Sequence, residues 1–280
     1  MPSANVAAVD LSARSLIAPV SPLAWLAVTH GAISFAGWMH GVHAGSQLDI
    51  LLSAGQFAGL LLASLALAQF LVMSRAPWLE QVHGFDGLAR LHHRMGQVFL
   101  VPLIAHPLLI LAGYGQRDAR SLWADLASIL QMDGTVGASV ALGLFLCILI
   151  YSLFQPWTSW NYQSWYAVHL AMYSAVVLAF WHQVRLGGSL RASNVFAAYW
   201  WLASCLTIGT VLVYRVGVPL GRTLRHQFVV SAVVPETRNV TSVVIAGRRL
   251  EAYRFRSGQF ITSSAKRAFL RYRNRARCPG

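Results

Sequence analysis

The sequence predicts an all-α membrane protein, a six-helix transmembrane bundle followed by a short, strand-forming and strongly basic C-terminal region. Three observations predict it. The 280 residues are 56% hydrophobic and only 11% charged, whereas a soluble domain has about 45–50% apolar and about 25% charged residues. The mean hydropathy is +0.52, and the apolar residues gather into six runs. The formal net charge of +13 is unevenly placed: residues 1–214 carry +1 and residues 215–280 carry +12. This composition excludes a disordered chain, a coiled coil and an ordinary soluble globule.

Residues 1–21 contain Asp10, Arg14 and two prolines, without a basic stretch leading into an apolar core. No cleaved signal peptide is expected, and the segment reads as a cytoplasmic leader to the first span. A span needs about 20 apolar residues to cross about 30 Å of hydrocarbon. Six segments meet or approach this: 22–40, 50–73, 92–113, 135–155, 162–184 and 195–215, together a domain over 22–215. The second and fourth are unbroken. The first is interrupted by His30 and Gly31, and the third carries Pro102 and Pro107, which membrane helices tolerate when neighbours satisfy the freed backbone. Trp157 and Trp160 precede the fifth run, Trp165 lies at its start, and Trp200 and Trp201 lie in the sixth, placements that suit interfacial anchoring or core packing. The basic region after Tyr214 favours a cytoplasmic C-terminus. Six spans then put the N-terminus on the same side, and the expected location is the plasma membrane of the cell.

Three cysteines, Cys147, Cys205 and Cys278, lack metal-type spacing and define no disulfide framework. They are too few for an iron–sulfur cluster. The ten histidines are more informative. His92, His93 and His106 fall in or beside the third run, and His169 and His182 in the fifth. Ionisable residues inside a membrane are costly, which makes them functional candidates. Fourteen residues separate His92 from His106, about 21 Å of helix, and at about 100° per residue the second returns to within about 40° of the first. His93, thirteen residues from His106, lands about 140° away, so ideal geometry prefers His92 while leaving His93 open. His169 and His182 are also thirteen apart. An ideal helix would not place them on one face without a π-bulge, a tilt or differing rotamers. Neutral imidazole is a good iron ligand, and two facing helices can supply both axial ligands from a bundle core. His92 opposite His169 and His106 opposite His182 would form two stacked levels, each fit for a bis-His b-type haem. Zinc fits less well, because it needs three or four donors at one depth. His30, His40 and His43 read as packing or interface residues, and His83 and His226 as loop and juxtamembrane residues. Arg90, Arg94 and Arg185 are placed to neutralise haem propionates or to snorkel at the membrane edge. Phe99, Phe180 and Trp181 lie near or between the two levels.

RLHHRMG followed by LIAHP, then WYAVHL followed by AFWHQ, resembles the ferric reductase transmembrane domain shared by ferric reductases and NADPH oxidases. The resemblance covers about residues 50–215. It implies His92, His106, His169 and His182 as haem-iron ligands, with Gly96 completing the family's H-x-x-x-G opening. It also implies two b-type haems and electron transfer from cytoplasmic reduced flavin to an external acceptor such as ferric chelate or oxygen.

After Gly221 the pattern changes. FVVSAVV, VTSVVIAG and YRFRSGQFI are short β-branched runs broken by Pro, Asn and Gly, which are strand and hairpin signals. Val230 through Pro235, Glu236 and Thr237, and then Arg256 through Gln259 and Phe260, resemble the opening of the ferredoxin-reductase-type FAD domain. Residues 224–261 are thus expected to be a fragment of a β-barrel flavin domain. Residues 262–280 are expected to be a disordered basic tail, with a truncation or frame change near residue 262. No Gly-x-Gly-x-x-Gly phosphate loop occurs, so FAD and NAD(P)H are cofactors the family implies with incomplete sites in this chain. The partners this predicts are the lipid bilayer, a small-molecule electron acceptor and no nucleic acid. Two other readings are a haem-containing membrane subunit reduced by a separate flavoprotein reductase, and a non-enzymatic six-span transporter or channel.

Overall fold

A computed structural model describes residues 22–43, 49–118, 121–154, 161–237 and 240–252. The N-terminal segment 1–21, the third expected strand and the 262–280 tail lie outside the described residues. The chain divides into two compact units, residues 1–208 and 209–280, each described by itself.

The first unit is helical. Helix α1 spans Pro22–His43, α2 Ile50–Val72, α3 Pro77–His83, α4 Phe85–Asp118, α5 Leu122–Leu130 and α6 Thr135–Phe154. These are followed by α7 (Tyr162–His169), α8 (Met172–Leu186), α9 (Gly188–Ala192) and α10 (Asn194–Val211). Polar residues set the entries. The Asp49 carboxylate accepts from Leu52 N at 3.0 Å, and the Asn161 amide oxygen accepts from Ser164 N at 2.8 Å. Each satisfies one of the orphan N–H groups of a first turn. Gly84, at φ +66°, separates α3 from α4, a conformation that costs glycine little.

Among the described residues five helical stretches are long and apolar enough to cross a membrane: Ile50–Val72, Phe85–Asp118, Thr135–Phe154, Tyr162–Leu186 and Asn194–His226. The sequence predicts six. The difference is α1, which has 22 residues and lies where the first span is expected, but whose polar and aromatic residues, His30, His40 and Thr29 among them, dilute its hydropathy. It is nevertheless tied to its neighbours. His30 Nδ1 lies 2.6 Å from the Tyr199 hydroxyl and Nε2 lies 3.1 Å from Ser64 Oγ, while Trp38 Nε1 donates to the Ser53 carbonyl at 2.9 Å. His30 is a packing residue, one of the two roles, packing or interface, that the sequence leaves open for it.

The most extensive packing is between α2 and α4. One core cluster joins Phe99 and Leu103 of α4 to Ala141, Phe145 and Leu149 of α6 and Ala175 of α8. A second joins Leu60 and Ala63 to Phe196 and Trp200. The outer surfaces stay apolar and exposed, with Val101, Val136, Val177 and Val195 more than 60% exposed, as expected where lipid is the solvent.

The fifth run is not one uniform helix. At Leu170 and Ala171, the Ala171 N–H bonds to the Val168 carbonyl (3.0 Å) and the Tyr173 N–H to the Leu170 carbonyl (3.2 Å). These are i→i−3 bonds that overwind the helix, where a π-bulge was one of the expected distortions. The π-helical segment lies elsewhere, at Leu212–Gly217, and runs directly into α11 (Val218–His226).

In the second unit, α11 ends at Gln227, which has φ 44°. His226 is buried; its Nδ1 lies 3.1 Å from the Arg248 carbonyl, and its ring stacks on Phe228. This is a structural anchor rather than a plain juxtamembrane residue. Strands β1 (Val229–Pro235) and β2 (Thr241–Ala246) pair antiparallel, with Val230 opposite Ile245 and a bulge before Ala232. Two of the predicted strands thus exist, and among the described residues they form a two-stranded hairpin, not a barrel.

Candidate functional site

Helix α4 carries His92 and His106 on one continuous 34-residue helix, two levels about 21 Å apart along its axis. His169 ends α7 and His182 lies near the end of α8. The fold brings the four rings together as two pairs. The centroids of His92 and His169 are 6.0 Å apart with ring planes at 77°, and those of His106 and His182 are 6.3 Å apart at 69°. The neighbouring His93 takes no part: it is exposed, and its Nε2 lies 3.4 Å from the Gln97 amide.

Overwinding at 170–171 helps make the second pair. Thirteen residues at about 100° each leave the later histidine about 140° from the earlier one. Each residue tightened to about 120° closes that gap by about 20°.

Whether these pairs suit a metal held between them can be judged from their spacing. With a metal–nitrogen bond of about 2.0–2.1 Å and about 1.1 Å from nitrogen to ring centre, two trans imidazoles have centroids about 6.2–6.4 Å apart. Both pairs fall within a few tenths of that. Among the described residues no three His, Cys, Asp or Glu side chains converge on one point, so these residues provide no donor set for a tetrahedral zinc. Paired imidazoles at two depths instead suit a planar macrocycle that supplies the other four ligands of its iron.

The surroundings fix the rings. His106 Nδ1 is 2.8 Å from the Gly55 carbonyl of α2, which holds Nδ1 as the protonated nitrogen and leaves Nε2 as the lone-pair donor. Trp165 stacks on His169, with centroids 5.1 Å apart and planes at 22°, and its indole N–H donates to Ser152 Oγ at 3.2 Å. Gly134, at φ +87°, lies against His182: a Cβ there would come within 3.3 Å of the His182 Cα. His182 Nδ1 is buried and has no hydrogen-bond partner among the described residues. The sequence left Trp165 open between interfacial anchoring and core packing, and Gly55 and Gly134 carry no signal in it that marks them for this site.

Between the two levels the interior is aromatic and aliphatic. Phe99, seven residues from each histidine of α4, is buried and meets Phe145 edge-on at 5.4 Å. Phe180 meets Trp201 at 4.9 Å. Trp181, a candidate for the same region, is 54% exposed instead, with the Arg185 guanidinium 5.1 Å from its ring centre. Arg185 is also engaged by Asp133 at 2.6 Å, both side chains half or more exposed. An ion pair so open to its surroundings is worth about 0–1 kcal/mol. Asp133→Asn is therefore expected to lower stability by less than about 1 kcal/mol, as measured by thermal unfolding in detergent. Arg90 and Arg94 are exposed.

Comparison with curated proteins and with solved structures returned no significant match. The family comparison did: residues 58–180 match the model described as "Ferric reductase like transmembrane component", a stretch that holds His92, His106 and His169 and ends two residues before His182. With five helices among the described residues long and apolar enough to cross a membrane, the chain is an integral membrane protein whose residues 58–180 are similar to the ferric reductase-like transmembrane component.

Proposed function

We propose that the chain is a membrane oxidoreductase that moves electrons across the bilayer, with His92 and His169 as the axial pair of one b-type haem and His106 and His182 as the pair of a second. The two ring separations, 6.0 and 6.3 Å, carry this reading. When bound, the haems supply one-electron carriers at two depths, linking cytoplasmic reduced flavin to an external acceptor such as ferric chelate or oxygen.

The protein's own part is positional. Helix α4 sets the distance between levels, and the 170–171 turn closes part of the rotation between His169 and His182. Two imidazoles at each level would hold a haem iron from both sides, which would favour electron transfer over ligand binding at iron. Phe99 and Phe145 fill the space between levels and exclude water from it. The basic residues after Tyr214 support a cytoplasmic C-terminus, and with it a His92 level on the cytoplasmic side. The polar ties of α1 to Ser64 and Tyr199 support its insertion as a sixth span, with both termini on that side of the plasma membrane.

The test is a reduced-minus-oxidised difference spectrum of the purified chain in detergent. A b-type Soret and α-band at about two haems per chain is expected; a protein purified from haem-sufficient cells with no such bands overturns the reading.

A further inference from the structure

The His106 ring sits in a notch in α2 made by two glycines one turn apart. Gly55 contributes its carbonyl, 2.8 Å from Nδ1. Gly59 contributes the absence of a side chain: a Cβ at this position would lie 2.7 Å from Nδ1 and 2.8 Å from Cε1 of the same ring, closer than real Cβ atoms come to anything. The clash would be with a ring fixed on both sides. On one side it is tied to the Gly55 carbonyl, and on the other it faces His182 at 6.3 Å. The other level has a different arrangement. Gly96, four residues after His92, would place a Cβ 3.5 Å from Gln69 Nε2, ordinary contact distance. Small residues one turn apart usually allow two membrane helices to approach closely. Here the space at Gly59 is taken up by an imidazole.

Resting on the haem reading above, we propose that Gly59 is the positioning residue for His106: it admits the ring to the one place where Nδ1 reaches the Gly55 carbonyl and the opposite edge faces His182. A histidine ligand whose second nitrogen donates to a carbonyl is a stronger base toward its metal. The contact therefore sets the electronic character of one haem level as well as its occupancy.

Gly59→Ala is expected to lower bound haem from about two per chain to about one, or to retain both and shift the midpoint potential of one only. Gly143→Ala, whose added Cβ meets nothing within 4 Å, is expected to leave both unchanged. Two haems with unaltered potentials in Gly59→Ala would overturn the proposal. A wild-type protein without haem would overturn the underlying reading instead, which keeps the two failures distinct.

Folding is controlled by a double-mutant cycle. If Gly59 acts through the ring, adding Gly59→Ala to His106→Ala changes neither thermal stability nor the haem left at the other level. This holds even where Gly59→Ala alone does not accumulate. Failure of the double variant beside a stable His106→Ala would show that Gly59 serves helix packing, and would overturn the proposal.

Discussion

His92→Ala is expected to remove one haem of two and to cut electron transfer from a cytoplasmic reductant to an external acceptor by more than about 100-fold, beyond the 10–100-fold usual for changes to a metal's outer partners. His93→Ala is expected to leave both properties unchanged. The contrast follows from two adjacent residues on one helix. The His92 ring lies 6.0 Å from that of His169, whereas the His93 ring is exposed and turned to Gln97. Truncating His92 leaves His169 facing a gap, and a single imidazole does not complete a bis-His site. The His106 and His182 pair, about 21 Å further along α4, remains. Haem content by pyridine haemochrome and stopped-flow reduction of the remaining haem read the two effects separately. Retention of both haems in His92→Ala, or loss of one in His93→Ala, would reverse the assignment.

The pairing on α4 was legible because fourteen residues are nearly four whole turns, so a regular helix suffices. The pairing on α7 and α8 was not, because the sequence there, VHLAMYS, has no Pro or Gly to announce that two bonds at 170–171 change from i→i−4 to i→i−3. Composition marks breaks and says little about winding. Trp165 is another case: an aromatic at the start of a span suits an interface anchor or core packing, and only the fold shows it stacked on His169. Gly55 and Gly59 were hidden for the opposite reason. In a run as small and apolar as SAGQFAGLLLAS glycines look like filler, although their spacing of four was the available signal. The span count depends on α1, where hydropathy and packing pull apart. Its histidine and tryptophan side chains lower the first and, by bonding Ser64, Tyr199 and Ser53, strengthen the second. Charge was a dependable guide to which end is basic and a poor one to individual arginines. Arg185 meets Asp133 and Trp181, partners that spacing from the histidines does not reveal.

Inserting one alanine between Leu170 and Ala171 is expected to abolish one haem while sparing the other, a larger effect than any conservative substitution nearby. His169 precedes the insertion and keeps its place opposite His92. Everything after it turns by about 100° and advances by about 1.5 Å, which swings His182 away from His106. The same rotation displaces Ala175, fully buried against α4 and α6, so some loss of thermal stability accompanies the loss of haem. An alanine inserted beside Gly187 separates these effects. It lies past His182, at the end of α8, so the register of both pairs is untouched and about two haems per chain are retained. If the first insertion also retained two haems, neither the winding at 170–171 nor the facing of His182 to His106 would set the second level, and the two-level arrangement would have to be given up.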